Sequence, residues 1–231
     1  ASNPVYGNEV DSLILVDWMY NRNRPNDDTS PAYIADALNI DLYETSEPPY
    51  DLVNTGGNFM SDGFGTAFAS ELILEENDGN GDYQIIYPTH TEQEVDNILE
   101  TFMGIDTYIK MPTLPYDGIH HIDMHMKLID EETLLVSEYP NGVADGQQIN
   151  ANINYVLSNY TSKFGTPFRV VRIPSPPSTQ GASPGQPISN FSIWATRRRT
   201  TRSRTLITAH SWAPPSPTAC TPSGTSRRVS Q

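Results

Sequence analysis

Cysteine is almost missing from this chain: among 231 residues there is one, Cys220, which excludes a disulfide framework within one chain and any thiolate-rich metal cluster. Long apolar runs are missing too. No stretch approaches the roughly 20 consecutive apolar residues of a membrane-spanning helix. Ala1 opens neither an initiator Met nor a signal-peptide pattern, so the sequence is expected to begin inside a longer protein. Basic residues are scarce, 14 against 28 acids, for a net charge of −14. With 37% hydrophobic residues there is still material for a core in one large domain or two small ones.

A second scarcity is local. Residues 174–231 contain no Asp, Glu or Lys and seven Arg, a net charge of +7, whereas residues 1–173 hold all 28 acids and seven basic residues, a net −21. The 58-residue tail also holds nine of the 19 prolines, with Ser and Thr filling most of the rest. Such a composition buries too little apolar surface to offset chain entropy. The expected organisation is a folded domain over 1–173 and a Pro/Ser/Thr/Arg-rich tail over 174–231 that is disordered or out of frame.

Within 1–173, three stretches have helical periodicity. Ser30-Pro31 offers a cap and a first-turn proline ahead of Ile34, Ala37 and Leu38. Thr91 and Glu94 have capping-box spacing before Val95, Ile98, Leu99 and Phe102. Ile149, Ile153, Val156, Leu157 and Tyr160 form a third stripe, from a start near Gln147. Runs with strand character precede each helix (13–18, 71–75, 133–139) and follow it (40–43, 105–109, 168–173). Two exits even share letters, Asn39-Ile40-Asp41-Leu42-Tyr43 and Gly104-Ile105-Asp106-Thr107-Tyr108. Strand, helix, strand three times over predicts an α/β fold with an internal repeat.

The residues able to carry chemistry lie in three clusters. Read as a strand, Ile119 to Ile129 puts His121, Asp123, His125 and Lys127 on one face and mostly apolar residues on the other. His121 could then transfer protons near neutral pH and Asp123 could hold a cation. A solvent-facing strand, or a chelate of His121, Asp123 and His125 around one metal ion, are the alternatives. In Thr55-Gly56-Gly57-Asn58-Phe59-Met60-Ser61-Asp62-Gly63-Phe64-Gly65, four glycines in eleven residues predict a loop that something approaches closely. It lacks the Gly-Lys-Ser/Thr ending of a phosphate loop. Arg22 and Arg24, in Tyr20-Asn21-Arg22-Asn23-Arg24-Pro25-Asn26-Asp27, are planar forks suited to a carboxylate. Asp78-Gly79-Asn80-Gly81-Asp82 imitates the start of a calcium loop, but Tyr83 and Thr89 stand where an EF-hand needs Gly and Glu.

Gly56-Gly57-Asn58 followed some 60 residues later by His120-His121-Ile122-Asp123 resembles the guanidine-modifying enzymes, in the agmatine deiminase and bacterial peptidylarginine deiminase branch. The runs at 20–26 and 56–63 are most similar to the bacterial peptidylarginine deiminases. The resemblance spans about residues 12–173. It implies a pentein fold, a five-module α/β propeller, of which about three modules are recognisable. It also implies hydrolysis of a guanidinium group: a Cys thiolate attacks the central carbon, ammonia leaves, and water releases a ureido product such as citrulline. The resemblance puts His121 in the general acid/base role and Asp123 in that of a carboxylate gripping the guanidinium. Asp62 is a second acidic contact or a structural residue of its loop. The resemblance further implies that Arg22 and Arg24 bind a substrate carboxylate, with Asn58 and Asn190 as further substrate contacts. No cofactor, metal, nucleic acid or membrane partner is expected, and the resemblance favours a secreted or cell-envelope location. A domain of charge −21 attracts such cationic substrates.

Two family parts are missing. A Trp-x-Arg-Asp-x-Gly-Pro-like segment has no counterpart here, and the nucleophilic Cys, which the family sets among glycines after a His, is replaced by Cys220 in Pro217-Thr218-Ala219-Cys220-Thr221-Pro222. Ile188 to Ile193 still resembles the family's fourth-module strand. Beyond it, the loss of acids and Lys reads as an out-of-frame translation, which the other two reading frames of the gene would reveal. The chain is accordingly expected to be impaired in turnover. The rival functions are a metal-dependent hydrolase using His121, Asp123 and His125, and a non-catalytic arginine-binding module.

Overall fold

In the computed structural model, which describes residues 13–20, 25–80 and 88–176, the strand, helix, strand unit occurs three times. The described residues divide into two units, one from those up to Asn54 with those between Glu76 and Gly104, and one from 55–75 with 105–176.

The first unit contains β1 (Ile14–Asp17), α1 (Pro25–Asp28), α2 (Ser30–Leu38), β2 (Asp41–Glu44) and α4 (Glu92–Met103). Strands β1 and β2 pair in parallel, Ile14 opposite Asp41 and Asp17 opposite Glu44. The two exits that share letters share a geometry. Asn39 closes α2 at φ 52° and Gly104 closes α4 at φ 65°, each left-handed with its N–H returned to the last helical turn. α4 follows its sequence closely: Thr91 and Glu94 form the capping box, and Val95, Ile98, Leu99 and Phe102 are all buried. Phe102 meets Trp18 and Tyr50 edge-on at 6.1 and 5.5 Å.

α2 departs from expectation. Its cap position is Thr29, one residue early, and only Ala35 is buried, while Ile34 and Leu38 are exposed. The i, i+3, i+4 pattern fixes which residues share a face but not whether a partner covers that face.

The second unit holds two sheets. β3 (Met60–Ser61) runs antiparallel to β4 (Thr66–Ser70), which pairs in parallel with β5 (Thr107–Met111). β6 (Met126–Asp130) runs antiparallel to β7 (Thr133–Glu138), which pairs in parallel with β8 (Arg169–Pro174), reached through α5 (Ala144–Asn159). Residues 71–75, expected as a strand, are instead a turn and the short helix α3 (Leu72–Glu75). The strand lies just upstream. All five residues of β4 are buried, so its small side chains show no polar alternation.

One core joins the sheets to α5. Phe68, Ile109, Ile122, Leu134 and Ile153 belong to it, and Phe68 meets Phe168 edge-on at 5.5 Å. Each large apolar side chain buried there is worth about 1.5–3 kcal/mol. Leu157, assigned to the apolar stripe of α5, is exposed, and Tyr160 caps the helix instead of lying within it.

Candidate functional site

The Gly-rich loop begins with a 3-10 turn, Gly56–Asn58, closed by Asn58 N–H on the Thr55 carbonyl at 2.8 Å. The Asn58 side chain points inward and is buried. Its Oδ1 accepts from the backbone N–H groups of Ser70 (2.9 Å) and Ile122 (3.2 Å), and its Nδ2 donates to the Ser70 carbonyl (3.2 Å). These polar atoms serve the backbone, so Asn58, expected as a substrate contact, is placed to position the loop.

The close approach expected of this loop is at Gly57. A Cβ there would overlap the His121 imidazole, well inside contact of Nδ1 and 3.1 Å from Cγ. The ring of the proposed acid/base therefore packs on bare backbone. Asp62, farther along, builds the loop: its Oδ1 accepts from Phe64 N–H (2.7 Å) and Thr66 N–H (3.0 Å), and its backbone N–H donates to the Thr66 carbonyl (3.0 Å). Asp62 Oδ2 is buried with no hydrogen-bond partner. Of the two roles expected for Asp62, the structural one is the one its bonds fit.

The histidine segment is not the strand its alternation predicts. Ile122–Met124 is a 3-10 turn and β6 begins only at Met126. A tight turn carries residues i and i+2 around its axis, so the ladder of His121, Asp123, His125 and Lys127 is not assembled. His121 and Asp123 are half-buried, whereas His125 is buried and its imidazole is pushed down to about 4 by desolvation. Among the described residues no group of three His, Cys, Asp or Glu side chains is placed to hold a metal ion, so the alternative reading of His121, Asp123 and His125 as a chelate does not fit this geometry.

His120 enters the turn at φ 56°, a left-handed conformation uncommon for a residue other than glycine. Its carbonyl accepts from Ser70 Oγ. Ser70 is thus bonded to both Asn58 and His120, and residues 57, 58 and 70 together surround the entry to the His121-Ile122-Asp123 segment.

Asp117 is a group that the motif reading missed. It is 3% exposed, and burial raises its carboxyl above the ordinary range, opposed by the N–H groups of Ile119 and His120 and then by the imidazoles of His120 and His121. Its place in Asp117-Gly118, four residues before His121, was the available signal. Arg22, Arg24 and Asn190 lie outside the described residues, as do Cys220 and the chain after residue 176.

A family described as Porphyromonas-type peptidyl-arginine deiminase matches residues 3–204. A Mycoplasma mycoides subsp. mycoides SC protein that carries the name of an agmatine deiminase is 22% identical over 174 residues, 70% of this chain and 44% of that protein. Two solved structures are similar in fold. One, from Porphyromonas gingivalis under the name of an arginine deiminase, has a TM-score of 0.59 at 17% identity, over 77% of this chain and 52% of that one. The other, the agmatine deiminase of Enterococcus faecalis, has a TM-score of 0.57 at 17% identity, over 76% and 51%. The chain spans about half the length of the relatives it matches.

Proposed function

The chain belongs to the Porphyromonas-type peptidyl-arginine deiminase family, and from that premise we propose that it binds a guanidinium group for hydrolytic deimination to a ureido product and ammonia. In this reading the three strand, helix, strand units are three modules of a five-module propeller, and the folded domain ends near residue 173. His121 transfers protons and Asp123 pairs with the planar guanidinium through two hydrogen bonds. Arg22 and Arg24 receive a substrate carboxylate, which favours a C-terminal arginyl peptide or arginine over agmatine. The Cys nucleophile that the chemistry needs is not supplied by Cys220 in its Pro/Thr setting, so binding outlasts turnover in this chain.

The observation that carries the proposal is the packing of His121 on Gly57 beside the Asn58 bond to Ile122 N–H. Two motifs far apart in sequence meet at one place, and the place contains the acid/base candidate. Among the described residues no helix is long and apolar enough to cross a membrane. Calorimetric titration with a C-terminal arginyl peptide, repeated with agmatine and on Asp123→Ala, is the test. The peptide is expected to bind more tightly than agmatine, and Asp123→Ala to lose at least tenfold in affinity, the order of one charge-assisted bidentate contact. No binding to any guanidino compound, or equal binding by Asp123→Ala, overturns the assignment.

A further inference from the structure

We propose that a groove in the first unit, between the Pro48-Pro49-Tyr50 loop and α4, binds an extended peptide through a basic side chain, an ammonium or guanidinium on an apolar stem. The groove has a volume of about 570 Å³, within the range of cavities that hold ligands. Pro48, Pro49 and Tyr50 form one wall. Glu94, Asn97 and Thr101, spaced by three and four residues on one face of α4, form the other. From Glu94 to Thr101 is about 10 Å along the helix axis, and His90, ahead of the Thr91 cap, lengthens the row. Such a row accommodates about four residues of extended chain.

Both walls are fixed by bonds that need no ligand. Tyr50 N–H donates to the Glu47 carbonyl at 2.9 Å and Leu52 N–H to the Thr45 carbonyl at 3.1 Å, which closes the loop. The Tyr50 ring is held edge-on against Phe102 at 5.5 Å. The His90 side chain is only 8% exposed, and Nε2 lies 2.6 Å from the Asp51 carbonyl oxygen and 3.2 Å from Asp51 Oδ1. Both are acceptors, so Nε2 carries the proton and Nδ1 of the neutral ring is an acceptor. Glu94 Oε2 accepts from Thr91 N–H (2.7 Å) and Thr91 Oγ1 (2.8 Å), and the cap does not use Oε1. The backbone and then the side-chain bond of Thr91 hold the Glu94 carboxyl below the ordinary range, so it stays an anion.

This lining selects a cation. Residues 1–54 and 76–104 hold 17 of the 28 acids against two Arg and no Lys. Among the described residues of this unit there is neither Arg nor Lys, so His90 is the one base beside Asp51 and Glu94. An incoming ammonium or guanidinium meets two carboxylates. Its apolar stem lies along the proline rings, and its charge over the Tyr50 ring gains a cation–π contact. An anion is repelled by the same groups.

The test is an amide NMR titration of the full chain with acetyl-Ala-Pro-Lys-Pro-Ala-amide. Its prolines keep it extended, and it carries neither a guanidinium nor a free carboxylate, the two groups invoked for deimination. Amides at 50–51 and 89–101 are expected to shift. The same peptide with norleucine for Lys should bind at least tenfold more weakly. Glu94→Gln keeps a residue able to complete the cap, removes the charge, and should cost at least threefold in affinity, as should Tyr50→Leu. Shifts that cluster on the second unit, or none at all, overturn the proposal. Equal binding of the norleucine peptide does so as well, and that comparison needs no variant to fold. Undiminished affinity in Glu94→Gln is equally fatal. The groove and the His121 site fail separately, because a chain that binds no guanidino compound still shows these shifts if the groove is a site.

Discussion

Asn58 Oδ1 accepts the backbone N–H of Ile122 at 3.2 Å and so ties the Gly-rich loop to the histidine turn across 64 residues of sequence. The same oxygen accepts from Ser70 N–H, and Asn58 Nδ2 returns a bond to the Ser70 carbonyl. A fully buried amide is suited to this because it offers both an acceptor and donors in one plane. Asp in its place would keep the acceptor and set a second oxygen against the Ser70 carbonyl.

Asn58→Ala removes three side-chain bonds and leaves two buried N–H groups without an acceptor. Each orphaned group costs about 1–3 kcal/mol, so a loss of roughly 3 kcal/mol is expected in urea unfolding. Amide exchange at Ile122 should accelerate more than at Ile109 in β5. Uniform acceleration across the second unit would show that Asn58 is an ordinary core residue.

Gly57→Ala forces a methyl group against the His121 imidazole. The ring must turn away or the loop must lift, at about 1–3 kcal/mol. Affinity for a C-terminal arginyl peptide should fall, accompanied by a changed His121 chemical shift. Native affinity together with a native His121 resonance would mean that the site accommodates the methyl, and that this contact does not fix the ring.

His120→Gly is expected to raise stability. At φ 56° a side chain costs about 1–2 kcal/mol that glycine does not incur, against which glycine's larger loss of chain entropy takes back part. The net expectation is a gain of about 0.5–1 kcal/mol in denaturant unfolding. A loss would mean that the His120 ring contributes packing beyond its backbone role.

How far the sequence reveals this arrangement depends on whether the determining interaction is local. α4 is legible to the residue, since the bonds between Thr91 and Glu94 span three positions. The shared exits are legible because Asn39 and Gly104 each fill a left-handed closing position. β4 is not, because burial on both faces erases the alternation that marks a strand. The histidine segment misleads in the opposite way: its polar and apolar residues alternate, but long-range bonds from Asn58 and Ser70 hold it in a turn. The motifs name His121 and Asp123 and say nothing of Asp117, which only its burial in the folded chain distinguishes.

His125 supplies a pH dependence whose sign follows from its burial. Desolvation pushes its imidazole from the ordinary 6.5 down to about 4 in the folded chain. Below 6.5 the unfolded chain takes up a proton that the folded chain refuses until about pH 4. The associated stability is therefore complete above 6.5, falls as the pH drops toward 4, and levels off beneath it. The span corresponds to about 3 kcal/mol. Asp17 acts in the other direction. Burial, then Asp28, then Glu44 push its carboxyl up to about 6, so its contribution is complete below 3.8 and lost as the pH rises through 6. The two effects overlap in the wild-type profile, and only a comparison separates them. His125→Gln keeps a polar group of similar size and cannot titrate. Urea unfolding at pH 7 and pH 4.5 should show wild type losing more stability on acidification than His125→Gln. Parallel losses in the two proteins would mean that His125 is protonated in the fold well above pH 4, which requires an acceptor for its buried Nδ1.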